Sequence, residues 1–386
     1  MNAPVRPLPL VGTALLGGGA RAAYQLGVLT WISEHLPRVA LPLVAGVSAG
    51  AANAMAVAGS KDLAEAAARL RDGWRRLNPE EIFDSFPSGM SYTLFGCLRE
   101  IARRAGTQGP FQGLFDDRPI RRFVSSVTDF AGLRANVESG RTHAVALTAS
   151  SYDTGRSVTF FQGRPSLRNW SRDHGTGVAE SLSLNHVMAS GAIPLLFPPV
   201  RIGDSLFGDG NVRQQFPLSP LVRLGADRLL VVDPGPASRS VQTGGAARGT
   251  IAETFGLFLD SMVVDRIESD VARLREINEA VAAEDSPRKD HRRHLDLLLI
   301  RPTVDLGTLA AEVGPPRCRT LRLFSRAFGG WDPRVAGLLS YLWVDRRFTD
   351  RLVDLGYADA RDRKEKLERF LEPALSADAP PSRLAG

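Results

Sequence analysis

The sequence predicts an α/β protein built on a mostly parallel sheet, and two observations carry that expectation. Short apolar runs of strand length (Leu10–Leu16, Val39–Ala45, Thr142–Ser150, Ser157–Phe161, Val200–Phe207, Arg228–Asp233 and Leu295–Ile300) are spread along the chain, with helical patterns among them. The first two runs end in glycine turns, Gly17-Gly18-Gly19 and Gly46-Val47-Ser48-Ala49-Gly50, that lead directly into helical patterns. With 386 residues, 44% of them hydrophobic and 23% charged, the chain can bury a large core without disulfides or a structural metal.

The elements follow in order. After the first strand, Arg21–His35 repeats apolar residues at helical spacing through Tyr24, Leu26, Val28, Leu29 and Ile32. Val39–Ala45 is a second strand, and Ala49–Ala58 is a helix of small residues. Lys61–Leu77 is amphipathic, with Leu63, Ala67, Leu70 and Trp74 on one side. Residues 78–119 turn irregular, with Phe83, Phe86, Tyr92, Phe95, Phe111 and Phe115 among prolines and glycines, which suits either a cap or lid or loops packed on the core. Leu182–Ser190 reads as a short helix, 234–249 as a mobile loop rich in Pro, Gly and Ser, and Ile251–Ala283 as a long amphipathic helix. Beyond Arg301 the pattern is helical with a break at Gly314-Pro315-Pro316. The expected organisation is a catalytic domain over 8–305, a C-terminal helical extension over 306–372 and a disordered tail over 373–386.

The charge balance is 48 − 42 = +6. The basic residues are spread along the chain beside acidic ones and form no recognition motif, which argues against nucleic-acid binding; weak attraction to anionic membrane surfaces stays open. Cys97 and Cys318 are far apart and match no metal-ligand pattern, so no metal or other cofactor is expected. Val39–Ser60 lacks charge, but Pro42, Gly46, Gly50 and Gly59 suit a strand, a turn and a helix better than a membrane span. At the N-terminus Arg6, Leu8–Leu16 and Ala20-Arg21-Ala22 imitate a secretory signal, against which stand Pro7, Pro9 and the glycine run. The expected location is cytoplasmic, with peripheral contact at the inner face of the membrane as an option.

Gly46-Val47-Ser48-Ala49-Gly50 has the form G-x-S-x-G, in which a serine sits at the apex of a strained turn between strand and helix. The residues two before and two after must be small because neighbouring backbone passes close. A serine hydroxyl needs a base, and a tetrahedral oxyanion needs aimed donors, each worth about 2.7–4 kcal/mol of barrier. The run Gly17-Gly18-Gly19-Ala20-Arg21 can present consecutive backbone N–H groups at a helix start. Gly208-Asp209-Gly210, after the strand Val200–Phe207, offers the carboxylate; an ordinary Asp-Gly turn is the plainer reading of that pair.

In their order, GGGARAAYQLGVL at 17–29, GVSAG at 46–50 and GDGN at 208–211 resemble the patatin-like phospholipase family. So do ASGAIPLLFPPV at 189–200, FPLSPL at 216–221 and LLVVDPG at 229–235. The resemblance implies a three-layer α/β/α fold and a lipid acyl hydrolase acting on phospholipid or lysophospholipid. It makes Ser48 the nucleophile and Asp209 its base in a dyad without histidine. Gly17, Gly18, Gly19, Ala20 and Arg21 would form the oxyanion loop, with Gly46, Gly50 and Gly210 in support. Arg21 would fix that loop or attract an anionic head group. Ala22 and Asn211 depart from the family pattern, which usually has glycine at the first and glycine or alanine at the second.

Rival readings remain at this level. A full triad would need a histidine, with His186, His291 and His294 the candidates. Gly17-x-Gly19-x-x-Ala22 also fits a dinucleotide fingerprint, but the next strand ends in Gly46-Val47-Ser48 and not in an acidic residue. A catalytically silent lipid-binding or scaffold protein could share the fold. Phe324, Phe328, Trp331, Tyr341 and Trp343 among arginines suit either a membrane-docking face or, more simply, a helix packed on the core.

Overall fold

The computed structural model describes residues 9–84, 113–172, 175–235, 265–283, 293–328 and 330–375. One sheet runs through them. Its strands are β1 (Val11–Leu15), β2 (Leu43–Val47), β3 (Ala144–Ser151), β4 (Ser157–Gly163), β5 (Trp170–Arg172), β6 (Gly175–Ala179), β7 (Val200–Ile202), β8 (Ser205–Asp209), β9 (Arg228–Val232) and β10 (Asp296–Ile300). The order across the sheet is β10-β9-β1-β2-β3-β4-β6-β5, with the β7–β8 pair joined through β8 to β3. The five strands from β10 to β3 are parallel, whereas β4 and β8 run antiparallel to β3.

Alternation along β1 shows the layers. Val11 and Leu15 enter one core with helices α1 (Ala23–His35), α2 (Ala49–Gly59), α3 (Leu63–Arg76), α4 (Arg118–Val127) and α5 (Leu184–Ser190). Ala14 and Leu16 enter the other, with Leu218, Leu221 and helix α6 (Asp265–Ala283). The fold is therefore the expected α/β/α sandwich, since strands buried on both faces need helices on both.

Most strands and helices lie where the sequence places them, within a few residues. One strand does not: Val200–Phe207 is a hairpin. Ile202 pairs with Ser205 across Gly203-Asp204, and Gly203 takes φ 57. A Gly-Asp pair between two apolar stretches is a hairpin turn signal. Strands β5 and β6 and the helices Arg118–Val127 and Phe130–Glu138 had no expectation. The tail begins later than 373, because the last helix runs Lys364–Leu375 and buries Leu367 and Leu371. Residues 85–112 of the cap expectation, 236–249 of the mobile loop, 251–264 of the long helix and 376–386 of the tail lie outside the described residues.

The C-terminal helices share the main core. Every residue of α1 from Ala23 to Ser33 is buried, because the sheet covers one side and α7 (Arg346–Asp362) covers the other. The two helices cross at glycine: a Cβ on Gly27 would stand 2.0 Å from the Val353 carbonyl oxygen, and one on Gly356 2.1 Å from that of Tyr24. Asp359, 1% exposed, accepts the Tyr24 hydroxyl at 2.9 Å and the Thr303 hydroxyl at 2.6 Å.

Register on β3 positions the site. Val47, the last residue of β2, pairs with Thr148, and Asp209, the last residue of β8, pairs with Ala149. Strand β3 outruns β2 by a few residues, and β8 enters antiparallel in the space left. The two strand ends thus meet head to head along β3, with Ser48 next to Asp209.

On the opposite face, Asp270 of α6 is 8% exposed and accepts the Leu218 N–H at 2.8 Å. Burial pushes its carboxyl up to about 6, against the pull of that N–H and of Arg273. The fold is most stable with this group neutral, below the unfolded carboxyl pKa near 4, and loses that contribution as pH rises through about 6. Asp270→Asn keeps an acceptor for Leu218 and is expected to gain about 2–3 kcal/mol at pH 8, a gain that vanishes near pH 4. Urea unfolding at both pH values measures it; equal stability of the two proteins at pH 8 would contradict the buried charge.

Candidate active site

Ser48 lies between β2 and α2 with φ 54 and ψ −131, one of two non-glycine residues at positive φ among those described. Such a conformation costs about 1–3 kcal/mol and persists only where the surroundings enforce it. The small residues flanking it make the turn possible. A Cβ on Gly50 would lie 2.1 Å from the Leu15 carbonyl oxygen, and one on Gly46 2.5 Å from that of Gly50. The Ser48 N–H donates to Ser190 Oγ at 2.9 Å, and that hydroxyl donates to the Thr148 carbonyl at 2.6 Å. Ser190, at the end of α5, therefore ties the turn to β3.

The Ser48 hydroxyl donates to Asp209 Oδ2 at 2.7 Å, with both residues buried. The other carboxylate oxygen, Oδ1, accepts the Asn211 N–H at 2.8 Å. Asp209 is also held by its backbone, donating to the Ala192 carbonyl and accepting from Ser150 Oγ, both at 2.8 Å. Gly210 leaves room for this packing, since a Cβ there would meet the Thr148 carbonyl at 2.2 Å. The carboxylate is thus fixed with one oxygen aimed at the hydroxyl, in surroundings that strengthen a charged hydrogen bond.

The glycine run lies beside the pair. A Cβ on Gly17 would collide with Asn211 Nδ2 at 2.3 Å and approach Ser48 Cβ at 2.9 Å. Gly19, at φ 54, packs against the Tyr341 carbonyl, which accepts the Ala20 N–H at 2.9 Å. The Arg21 N–H donates to the Gly18 carbonyl at 3.1 Å. Two of the five expected oxyanion residues, Ala20 and Arg21, therefore have their backbone donors engaged, because the chain turns there into a short 3₁₀ segment against the C-terminal region. The amides of Gly18 and Gly19 bond to no other described residue.

The head-group option for Arg21 is overturned. Its side chain is 6% exposed, donates to Ser340 Oγ at 2.7 Å and the Gly337 carbonyl at 2.6 Å, and lies 3.8 Å over the Tyr341 ring. Ala22 is fully buried and its carbonyl accepts from Asn53 at 3.1 Å, so its methyl group is accommodated within the core.

Ser48, Gly19 and Ala20 line a pocket of about 110 Å³. Its walls are almost wholly apolar, with Phe123 and Val124 from α4, Val187 and Met188 from α5, and Ile193 and Phe197 from the loop after it. From the expected cap, Ile82 and Phe83 join the wall. Tyr341, Leu342 and Val344 also line it, a contribution with no local signal in the sequence. Of the expected docking aromatics, Tyr341 is 5% and Trp343 0% exposed, so both are packed inward, although they lie in the turn between the helices Pro333–Leu339 and Arg346–Asp362 and not on a helix.

Histidine plays no part in the Ser48–Asp209 contact among the described residues. His186 is buried beside Phe160 with Nδ1 against Ser183 Oγ at 2.9 Å, and burial pushes its imidazole down toward the neutral form. His294 lies near Asp296, and His291 is outside the described residues. Among the described residues no cluster of His, Cys, Asp and Glu could hold a metal ion, and no helix is long and apolar enough to cross a membrane.

The family model for patatin-like phospholipase matches residues 13–222, more than half of the chain. No curated protein matches it. Among solved structures, human GIVD cytosolic phospholipase A2 in complex with methyl gamma-linolenyl fluorophosphonate is similar at 15% identity and a TM-score of 0.44, over 95% of this chain and 60% of that one. VipD from Legionella pneumophila is similar at 13% identity and a TM-score of 0.31, over 94% of this chain and 75% of that one. The chain thus spans less than two thirds of the cytosolic phospholipase structure.

Arg21 ties the glycine loop to the C-terminal region through two hydrogen bonds and a ring face. Arg21→Ala is expected to destabilise the fold by about 2–4 kcal/mol, and Arg21→Lys to recover little because an ammonium cannot reproduce the fork. Thermal and urea unfolding test this; wild-type stability in Arg21→Ala would refute the anchoring role.

Proposed function

The chain belongs to the patatin-like phospholipase family, and we propose that it is a serine lipid acyl hydrolase that cleaves carboxylic esters of phospholipids or lysophospholipids. One observation carries the reading: the 2.7 Å bond from Ser48 Oγ to Asp209 Oδ2 at the wall of an apolar pocket. Asp209 Oδ2 takes the hydroxyl proton while Ser48 Oγ attacks the ester carbonyl. The oxyanion that forms is received by the amides of Gly18 and Gly19, with the positive end of α2 nearby. Asp209 then returns the proton to the leaving alcohol, and the acyl group stays on Ser48. Water, deprotonated by the same carboxylate, attacks the acyl-enzyme, and Asp209 returns that proton to Ser48 Oγ as the acyl–oxygen bond breaks, which frees the fatty acid and restores the Ser48 hydroxyl. The Asn211 N–H on Oδ1 keeps Oδ2 pointed at the reacting oxygens through both halves.

The apolar walls suit an acyl chain, which gains about 0.8 kcal/mol for each methylene buried. The division of labour proposed for the chain is a catalytic domain over 8–305, completed by the helical extension of 306–372, whose turn between two helices supplies Tyr341, Leu342 and Val344 to the pocket.

Hydrolysis of short and long acyl esters by wild type, Ser48→Ala and Asp209→Asn tests the assignment. Ser48→Ala is expected to lose turnover, and Asp209→Asn to lose about 10²–10⁴-fold in kcat with little change in KM. Full activity in either variant would remove that residue from the mechanism. His186→Ala and His294→Ala are expected to retain turnover, which a triad would not. Labelling of Ser48 by a fluorophosphonate separates the hydrolase from a silent scaffold.

A further inference from the structure

Two amide side chains stand in the apolar core behind the glycine loop. Gln25 of α1 and Asn53 of α2 are each 0% exposed, and α2 is otherwise a helix of alanine, glycine, valine and methionine. Burying an amide costs free energy unless its polar atoms find partners. Here they do. Gln25 Nε2 donates to the Leu16 carbonyl at 2.7 Å and to the Val232 carbonyl at 3.2 Å. Asn53 Nδ2 donates to the Ala22 carbonyl at 3.1 Å and to Gln25 Oε1 at 2.8 Å. Asn53 Oδ1 accepts the Trp74 indole N–H at 3.4 Å. Reversing either amide would set oxygen against carbonyl oxygen, so both orientations are fixed.

The carbonyls held in this way frame the loop. Leu16 enters it after β1, and Ala22 leaves it where α1 begins. A peptide is planar, so a fixed Leu16 carbonyl sets the direction in which Gly17, Gly18 and Gly19 depart. The same carbonyl faces the turn of the nucleophile, since a Cβ on Gly50 would lie 2.7 Å from it. Val232 ends β9, and two residues on Pro234 closes against Gly18, where a Cβ would lie 2.7 Å from the proline ring. Asn53 itself belongs to the helix that Ser48 caps. One amide pair therefore bonds to both ends of the glycine loop and to the strand end beside it, from the helix that carries the nucleophile. Methionine and leucine would fill the same space without desolvating two amides, so packing does not require the pair; the loop carbonyls do.

We propose that Gln25 and Asn53 are positioning residues for the oxyanion hole, setting the amides of Gly18 and Gly19 at the distance from Ser48 Oγ that the tetrahedral intermediate needs. The inference rests on the hydrolase reading and deepens it. Glycines have no side chains with which to fix their own path, and the amide pair one layer behind supplies the bonds. Trp74 joins the pair to the acyl pocket, whose wall it forms in part. A misplacement of about 1 Å at such a site costs on the order of 10²-fold in rate.

Gln25→Met and Asn53→Leu remove the bonds and keep the volume. Each is expected to lower kcat on a long acyl ester by about 10–100-fold, with KM within about twofold of wild type. An alkyl trifluoromethyl ketone forms an adduct on Ser48 that carries the oxyanion. Its Ki is expected to rise by the factor by which kcat/KM falls, while inhibition by the free fatty acid stays at wild-type strength. A pair that served stability alone would lower resistance to urea without that parallel. The double variant is expected to lose no more than the worse single one, because the two amides act as a unit. Full kcat in the folded variants, a ketone Ki that stays at the wild-type value, or losses that multiply in the double variant each overturn the proposal. If both apolar variants fail to fold, Trp74→Phe keeps a ring in the pocket wall and removes the N–H to Asn53. It is expected to lose about 2–10-fold in kcat with the ketone following, and an unchanged kcat there overturns the proposal. Wild-type turnover of the same ester reports on the hydrolase reading separately: turnover with unaffected variants sinks the positioning role alone, and a wild type without turnover sinks both.

Discussion

A buried hydroxyl and a buried carboxylate in contact set the terms for everything around them. Neither group gains from burial alone, and each is held by other bonds. Ser48 is fixed through its N–H to Ser190 and Asp209 through its Oδ1, its N–H and its carbonyl. What brings them together is a difference in strand length. Strand β3 continues past the end of β2, and β8 fills the vacated edge from the opposite direction. A slip of β8 by one residue would turn Asp209 to the other face of the sheet. The hydrogen bonds from Ser150 and to Ala192 guard that register.

The second constraint joins the two ends of the chain. The glycine run needs a fixed path to keep its amides in place, and that path is set from more than 300 residues away by the Tyr341 carbonyl and by Ser340 and Gly337 through Arg21. The guanidinium is buried, with its Nε–H and one terminal N–H engaged by Ser340 and Gly337 and its face on the Tyr341 ring. Its position in the motif reflects loop geometry, and the anionic-ligand option that a basic residue suggests on paper is closed by burial.

The hydrogen-bonded pair of Ser48 and Asp209 was legible because close backbone approach leaves a mark in composition. Gly46, Gly50 and Gly210 each face a carbonyl oxygen that a side chain would strike, and a sequence reader sees such positions as small residues at fixed spacing. The parallel strands were legible from their apolar runs. Other parts left no such trace. Ser190 is one serine among many until α5 places it under the turn, although the segment holding it resembled the family. Tyr341, Leu342 and Val344 reach the pocket through tertiary packing, which carries no period. The edge strand β5 and its neighbour β6 are short and half exposed, so they lack the alternation that marks a strand. The hairpin of β7 and β8 was missed because Gly203-Asp204 was read through as part of one strand.

The crossing of α1 with α7 has a consequence for synthesis. Helix α1 leaves the central strand early in the chain, yet the surface it presents to Val353 and Gly356 is covered by residues made more than 300 positions later. A nascent chain on the ribosome therefore carries an uncovered apolar helix for most of its translation, a state prone to misassembly. It also lacks a closed glycine loop until Tyr341 has emerged. The glycine loop and the outer surface of α1 thus meet their native partners only once the chain beyond Gly356 has been made.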